Sequence, residues 1–271
     1  MDVEIDGQTA YAYTGGKPFD ATLPCVIFIH GAENDHTVWT WQSRWFANHG
    51  YSVLAVDLPG HGRSGGAALT SIEALADWIG ALIAKVDAGT TAGCSVVGHS
   101  MGSLTALECA VRFPDRIARI ALVGTAVPMP VSDTLLNAAR DKEAKAIGMI
   151  NDWSHSPRGT IGGNHVPGMW LLGASLRLME RQRPGILHTD LAACNAYKHG
   201  LEAAALLHCP TLIISGDRDL MTSPKAATKL ADVIPPSCKP RAITLHGTGH
   251  ALMGEQPDAV LDTLRDFIPK P

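Results

Sequence analysis

The sequence lacks the marks of nucleic-acid-binding, membrane and metal-binding proteins. Its net charge is −4 and no basic block occurs, so we expect no nucleic acid partner and no anionic membrane surface. No apolar run reaches the roughly 18 residues that would span a bilayer, and residues 1–6 do not resemble a secretory signal. No His-Glu-x-x-His pattern or similar histidine cluster is present, so we expect no metal site.

Paired cysteines are also missing. The sequence contains no Cys-x-x-Cys pattern, and its six cysteines are evenly spread. Most of them lie in apolar segments, where a thiol packs as a small hydrophobic group. We therefore expect reduced, structural thiols in a cytoplasmic protein, at Cys25, Cys94, Cys109, Cys194, Cys209 and Cys238.

The chain does contain apolar runs that alternate regularly with segments of helical periodicity. Hydrophobic residues make up 46% and charged residues 18%, and 271 residues suit one large α/β domain with an inserted segment. Up to residue 127, apolar runs alternate with helical stripes, which predicts strands buried in a parallel sheet. We expect an α/β fold with a mostly parallel central sheet of about eight strands flanked by helices.

This alternation stops between residues 128 and 208. The segment contains no convincing strand, and its periodicity predicts helices over Leu135–Met149 and Met169–Arg181, with a loop over Asn151–Pro167 between them. We therefore predict a helical cap, residues 128–208, inserted into a core formed by residues 1–127 and 209–271.

One short stretch combines a strand, a Gly-x-Ser-x-Gly pattern and a helix. An apolar strand ends at Val97, Gly98–Gly102 follows, and helical periodicity continues to about Arg112. A serine on so tight a turn is presented into a cleft, and the flanking glycines leave room for its Cβ. Ser100 is therefore the candidate nucleophile, against the alternative of a glycine-rich loop with an incidental serine.

A serine nucleophile needs a base within hydrogen-bond reach and an acid that holds that base in place. His250 is the candidate base because it lies in a glycine-rich loop after the last predicted strand, and sites of open α/β sheets collect at such strand ends. The rival histidines are His246 at a strand end, His61 in an earlier loop, and His99, which we expect to point away from the site.

Two aspartates follow the strand that ends near Ile214. We favour Asp219 as the acid and assign Asp217 to the turn, where it would accept from backbone N–H groups. A third aspartate, Asp115, lies at the opposite end of the predicted sheet, which excludes it from the site.

The oxyanion formed by nucleophilic attack needs hydrogen-bond donors as well. The backbone N–H of Met101 follows the nucleophile at a helix N-terminus, where unpaired donors and the helix dipole favour negative charge. A second N–H is expected from Ala32, in the loop after the first long buried strand. Both residues would act through their backbone.

Together these segments resemble the α/β-hydrolase superfamily, in its capped members with a Ser-His-Asp triad. The resemblance covers essentially the whole chain outside the cap and keeps the family's order of nucleophile, acid and base. It implies Asp219 as the acid and structural roles for Asp57 and His61. The motifs are His30-Gly31, Asp57-Leu58-Pro59-Gly60-His61-Gly62-Arg63-Ser64, Gly98-His99-Ser100-Met101-Gly102, Gly216-Asp217-Arg218-Asp219 and Gly249-His250.

Two departures narrow the resemblance. Epoxide hydrolases and haloalkane dehalogenases of this fold use an aspartate nucleophile, whereas this chain has Ser100. Epoxide hydrolases also tend to carry His-Gly-x-Pro, where this chain has His30–Glu33. The polar run Glu33–His36, at the mouth of the expected site, is interpreted as a solvated loop, with substrate contact as the alternative.

The chemistry expected of this set is acyl transfer to Ser100, without a cofactor. Our first hypothesis is a carboxylesterase for a small to medium, fairly apolar ester, acting as a monomer or homodimer. Lactonase, thioesterase, perhydrolase and carbon–carbon bond hydrolase activities use the same triad and stay open, as does a ligand-binding member of the fold with little turnover. Apolar residues of the cap are expected to line the pocket, namely Trp153, Met169 and Trp170.

Overall fold

A computed structural model describes residues 1–89, 93–163 and 168–271 of the chain. Its strands are β1 (Asp2–Ile5), β2 (Gln8–Tyr13), β3 (Cys25–Ile29), β4 (Ser52–Val56), β5 (Cys94–His99), β6 (Ile117–Val123), β7 (Thr211–Gly216) and β8 (Arg241–Leu245). They form one sheet in the order β1-β2-β4-β3-β5-β6-β7-β8. The pairs that β2 makes with β1 and β4 are antiparallel and all others are parallel, which confirms the predicted fold class.

Helices cover both faces of this sheet, which is why its central strands are continuous apolar runs. Every residue of β3 and β4 is buried. The helices are α1 (Thr40–Ala47), α2 (Ile72–Lys85), α3 (Met101–Arg112), α4 (Asp133–Asp141), α5 (Glu143–Ser154), α6 (Pro157–Thr160), α7 (Leu171–Glu180), α8 (Ile186–Ala196), α9 (Gly200–Ala205), α10 (Pro224–Val233), α11 (Leu252–Glu255) and α12 (Pro257–Phe267).

Helices α4 to α9 all lie between β6 and β7, in the segment of residues 128–208 that we call the insert. The predicted single helix over Leu135–Met149 is wrong, because the backbone leaves the helical region at Lys142 and separates α4 from α5. The predicted loop over Asn151–Pro167 is wrong in part: α5 continues to Ser154 and α6 adds a further helical turn, while residues 164–167 of that loop lie outside the described residues.

The insert has an apolar cluster of its own and meets the core above the end of β5. Its buried members come from α4, α5, α7 and α8, and Ala32 of the core packs against them. All six cysteines are buried and free. Within the described ranges, every helix is too short or too polar to cross a bilayer.

Candidate active site

Ser100 occupies the turn between β5 and α3, with φ of 52° and ψ of −118°. Such a conformation costs a non-glycine residue about 1–3 kcal/mol and persists only where its surroundings enforce it. The flanking glycines are required for this turn: a Cβ on Gly98 would lie 2.0 Å from the carbonyl oxygen of Gly102, and one on Gly102 would lie 2.5 Å from that of Ile29. The Ser100 N–H donates to the carbonyl of Val123 at 2.9 Å, which ties the turn to β6.

His250 and Asp219 meet at the carboxyl ends of β8 and β7. His250 Nδ1 lies 2.8 Å from Asp219 Oδ2, and both side chains are buried. Asp219 also accepts from the backbone N–H groups of Met221 and Thr222, each at 2.7 Å, and from the Thr222 hydroxyl at 2.6 Å. Burial alone would raise the pKa of Asp219, but His250 and these hydrogen bonds hold it below its usual value. The carboxylate therefore stays ionised and keeps a proton on His250 Nδ1.

The second ring nitrogen of His250 is the atom that a base would use. Nε2 is buried and has no hydrogen-bond partner among the described residues. Because Nδ1 carries the proton, Nε2 offers a lone pair, and His250 and Ser100 line the same cavity. An unused lone pair beside a serine is what proton abstraction requires, and the catalytic hydrogen bond often closes only when substrate binds.

His99 lies beside His250, so the expectation that it points away from the site is wrong. The two ring centroids are 4.8 Å apart, and His99 Nε2 donates to the backbone carbonyl of His250 at 2.9 Å. Burial, together with the neighbouring His250, lowers the pKa of His99 to about 3. His99 is therefore neutral and fixes the backbone of His250.

The other residues that sequence reasoning weighed lie elsewhere. His246 is exposed and contacts Asp217, which accepts from the backbone N–H of Gly247 at 2.7 Å. His61 is buried and paired with Asp190 at 2.8 Å. The structure thus brings Asp219, and not Asp217, into contact with His250.

Two backbone N–H groups adjoin Ser100. Met101 is the first residue of α3, where an N–H has no intrahelical acceptor. Ala32 lines the cavity, and the chain before it passes so close to Ser100 that a Cβ on Gly31 would lie 3.0 Å from the serine Cβ. Among the described residues, neither N–H donates to another group. Both are available to an oxygen atom bound beside Ser100.

The cavity above Ser100 has a volume of about 710 Å³. Trp153 and Met169 line it as predicted, but the prediction for Trp170 is wrong. Trp170 precedes the first residue of α7, is 69% exposed and packs its ring over Gly173. The buried end of the cavity is apolar and is formed by Met129, Leu135, Ile150, Leu171, Met179, Leu191 and Cys194.

The run Glu33–His36 is not a solvated loop, because Glu33 and Asp35 are 1% and 2% exposed. The carboxylate of Asp35 accepts from Thr37 and from Arg181 of the insert. Ligand atoms of Asp35, His36 and Asp57 lie within 4.8 Å of one another, the spacing of a cation site. Protein donors already occupy both carboxylates, since His36 donates to Asp57 through its backbone and ring, so we assign no metal to this cluster.

A contact that sequence reasoning missed joins the insert to the loop carrying His250. The buried carboxylate of Glu255 accepts from the backbone N–H of Gly249 at 3.0 Å and from the backbone N–H and hydroxyl of Ser156. The N–H of Ala251 donates to the carbonyl of Ser154 at 2.9 Å. Gly249, before His250, is therefore linked to Ser156 through Glu255, and Ala251, after His250, is bonded directly to Ser154. Ser156 and Glu255 are 99 positions apart in the sequence, so no local pattern could indicate this contact.

Comparison with known proteins places this geometry in a family. The chain matches the Alpha/beta hydrolase family over residues 26–263. It is 27% identical over 259 residues to a pimeloyl-acyl-carrier-protein methyl ester esterase of Neisseria meningitidis, covering 90% of this chain and 93% of that one. It is 33% identical over 150 residues to the dihydrolipoyllysine-residue acetyltransferase component of the acetoin cleaving system of Cupriavidus necator, a match that spans 53% of this chain and only 38% of that protein.

Among solved structures, the enol-lactonase from Burkholderia xenovorans LB400 superposes with a TM-score of 0.85 over 98% of this chain and 99% of that one. At 22% identity this is a likeness of fold. The family match covers most of the chain, including every strand from β3 to β8 apart from Cys25. The chain therefore belongs to the alpha/beta hydrolase family.

Proposed function

We propose that the protein is a serine hydrolase that cleaves carboxylic esters of small to medium, fairly apolar substrates through an acyl-enzyme on Ser100. The observation that carries the proposal is the state of His250: the ionised Asp219 holds its Nδ1, its Nε2 has no partner among the described residues, and the residue lines the same cavity as Ser100. A pure binding protein needs no such base. The name of the Neisseria relative, a methyl ester esterase, supports the ester class.

In this mechanism His250 Nε2 takes the proton of Ser100 as its oxygen attacks the ester carbonyl. The oxyanion is stabilised by the N–H groups of Ala32 and Met101, with the dipole of α3 adding to the field. The proton on Nε2 passes to the leaving alcohol, and Asp219 stabilises the imidazolium in the meantime. Water, activated by the same histidine, then releases the acid and restores Ser100.

The insert acts here as a cap that shapes the substrate site. Its apolar side chains form the buried end of the cavity, which suits an alkyl or aryl group. A lactone is attacked by the same steps, and its ring-opened alcohol stays attached to the acyl group. Lactones therefore belong in the substrate panel beside open-chain esters, together with thioesters.

The test is hydrolysis of p-nitrophenyl acetate and butyrate by the wild type and by Ser100→Ala. We expect turnover by the wild type and a loss of about 10⁵-fold or more in the variant. A fluorophosphonate should label the wild type at Ser100 only. Ser175→Ala is the matched control, because Ser175 lines the same cavity on α7, and it should keep both activity and labelling. A wild type that neither turns over esters nor takes the label would refute the proposal.

A further inference from the structure

The cavity carries charged side chains of one sign. Among the described residues that line it, the only ones with a permanent charge are Arg177 and Arg181, and no aspartate, glutamate or lysine lines it. Their side chains are 80% and 56% exposed, so they stand at the opening, whereas the residues around Ser100 are buried. The cavity thus runs from an apolar, closed end to an opening with two guanidinium groups.

Arg177 lies in the last turn of α7, and Arg181 is the C-cap residue that follows its last position. Residues four apart on a helical backbone are neighbours, so the two side chains leave the end of the helix on the same side. Leu178 and Ala174 line the cavity from the same face.

Arg181 is held in position while part of its guanidinium stays unused. Its Nη2 donates to the buried Asp35 and lies 3.4 Å from the Thr37 hydroxyl. A guanidinium has five N–H donors, and Nε and Nη1 of Arg181 make no hydrogen bond to the described residues. Cδ lies between Nε and Nη1, so these two N–H groups point to different edges of the guanidinium, and the anchored group offers single donors, not a bidentate pair, to a bound oxyanion.

Arg177 can contact the same bound anion as Arg181. Its partner is Glu180, one turn along the exposed surface, and an exposed pair of this kind contributes little and exchanges readily. Counting Asp35 and Glu180, the charges of the four groups cancel. Arg177 therefore offers its positive charge to a bound anion only when it leaves Glu180, and that single charge matches a carboxylate better than a phosphate dianion.

We propose that Arg177 and Arg181 form a carboxylate subsite, and that the ester cleaved at Ser100 carries a carboxylate at the end of its chain remote from the scissile bond. The proposal rests on the proposed function for the identity of the reacting bond. Monoalkyl esters of linear dicarboxylic acids have this chemistry.

The experiment compares monomethyl esters of dicarboxylic acids, from succinic to sebacic, with the methyl esters of monocarboxylic acids of equal length. We expect the wild type to prefer the best monoester over its neutral counterpart by about tenfold in kcat/KM, because a hydrogen bond to a charged group is worth about that factor. Added salt should raise KM for the monoester and leave the neutral ester unchanged.

Arg177→Gln should lower kcat/KM for the monoester towards the value for the neutral ester, so that most of this preference is lost. Among the described residues, the ion-pair partner of Arg177 is the exposed Glu180, so this variant keeps the fold. Arg181→Lys keeps the charge but removes the free Nε and Nη1 donors, and should weaken the preference too. Arg140→Gln is the control, since Arg140 lies on α4 of the insert, is similarly exposed and does not line the cavity.

Binding separates failure of this inference from failure of the proposed function. Ser100→Ala should bind monomethyl suberate more tightly than methyl octanoate in calorimetry, and the Arg177→Gln change on that background should abolish the difference. Equal affinities overturn the carboxylate subsite even if the enzyme hydrolyses esters. Tighter binding of monomethyl suberate than of methyl octanoate by Ser100→Ala supports the subsite even if the wild type hydrolyses neither ester.

Discussion

His61 and Asp190 form a buried pair across the boundary between the core and the insert, with Nε2 of the histidine 2.8 Å from Oδ2 of the aspartate. The same carboxylate oxygen accepts from the backbone N–H of Glu33 at 2.9 Å, next to Ala32. Burial alone would lower the pKa of His61, but Asp190 and the hydrogen bonds around the ring raise it. One residue of the insert therefore fixes both a core histidine and the loop that presents a proposed oxyanion donor.

Asp190→Leu should destabilise the fold and slow catalysis together. The change leaves His61 Nε2 and the Glu33 N–H buried without an acceptor, and breaking a buried pair in this way costs about 3–5 kcal/mol. Urea denaturation measures the loss. Asp141→Leu removes an exposed partner of Arg140 in the same insert and should leave the unfolding free energy nearly unchanged. A loss below 1 kcal/mol for Asp190→Leu would show that the pair is not a structural link.

Asp219→Asn should lower kcat by about 10⁴-fold while leaving the fold intact. The amide no longer holds the Nδ1 proton of His250, so the ring loses the tautomer that leaves Nε2 free. Asp217→Asn is the matched control, because Asp217 contacts the exposed His246 instead. Both variants are assayed on one p-nitrophenyl ester. Near wild-type activity of Asp219→Asn, with loss in Asp217→Asn, would reverse the assignment of the acid.

Glu255→Ala should lower kcat about tenfold, with a smaller effect on KM. Its carboxylate is the acceptor that fixes Gly249, the residue before His250, against Ser156 of the insert. Displacing the base by a fraction of an ångström slows proton transfer without removing any group that touches substrate. Fluorophosphonate labelling of Ser100 should slow in parallel, because it depends on the same base.

Glu255→Gln keeps one acceptor oxygen and should recover part of the lost rate, whereas Ser156→Ala should reproduce part of the loss. A folded Glu255→Ala variant with unchanged labelling would contradict the positioning role. Denaturation midpoints for all three variants separate a loss of rate from a loss of folded protein.

The fold and the three candidate catalytic side chains could be predicted because each is marked locally. Ser100 and Asp219 follow buried apolar strands, His250 follows the partly exposed edge strand β8, and all three lie in glycine-containing turns. Since parallel strands end at one edge of the sheet, local signals suffice to bring the three together.

The contacts that the insert makes, and the residues that support His250, could not be predicted in the same way. The phase of a helix shows which residues share a face but not what that face meets, so Trp170 was placed in the cavity although it lies outside it. Polar residues that pair over long distances, such as Glu255 with Ser156, look like surface residues in the sequence. The same reason makes the buried Glu33 look like part of a solvated loop.

Glu33→Gln should stabilise the protein at neutral pH. Burial, with Glu143 and Asp190 nearby, raises the pKa of Glu33 to about 9, and its Oε2 is buried without a partner. The unfolded chain releases this proton above its own pKa while the folded protein keeps it, so stability is lost as pH rises from about 4.5 towards 9. Relative to the wild type, the variant should gain ~2 kcal/mol of unfolding free energy between pH 5 and pH 7. Glu202→Gln, at an exposed position of α9, should show no such trend.

His99→Gln should make the protein less sensitive to acid. Burial lowers the pKa of folded His99 to about 3. Below about pH 6.5 the unfolded chain therefore takes up a proton that the folded protein does not, and the protein loses stability as the pH decreases. Removing this group should raise the unfolding free energy relative to the wild type by ~2 kcal/mol between pH 7 and pH 5.

The comparison must be made against the wild type at each pH, because Glu33 titrates in the opposite direction. The glutamine amide can still donate to the carbonyl of His250, so the site keeps its support, and the exposed His246→Gln serves as the control. A difference between His99→Gln and the wild type that does not change with pH would mean that His99 is protonated in the folded protein, and the neutral role assigned to it beside His250 would fail.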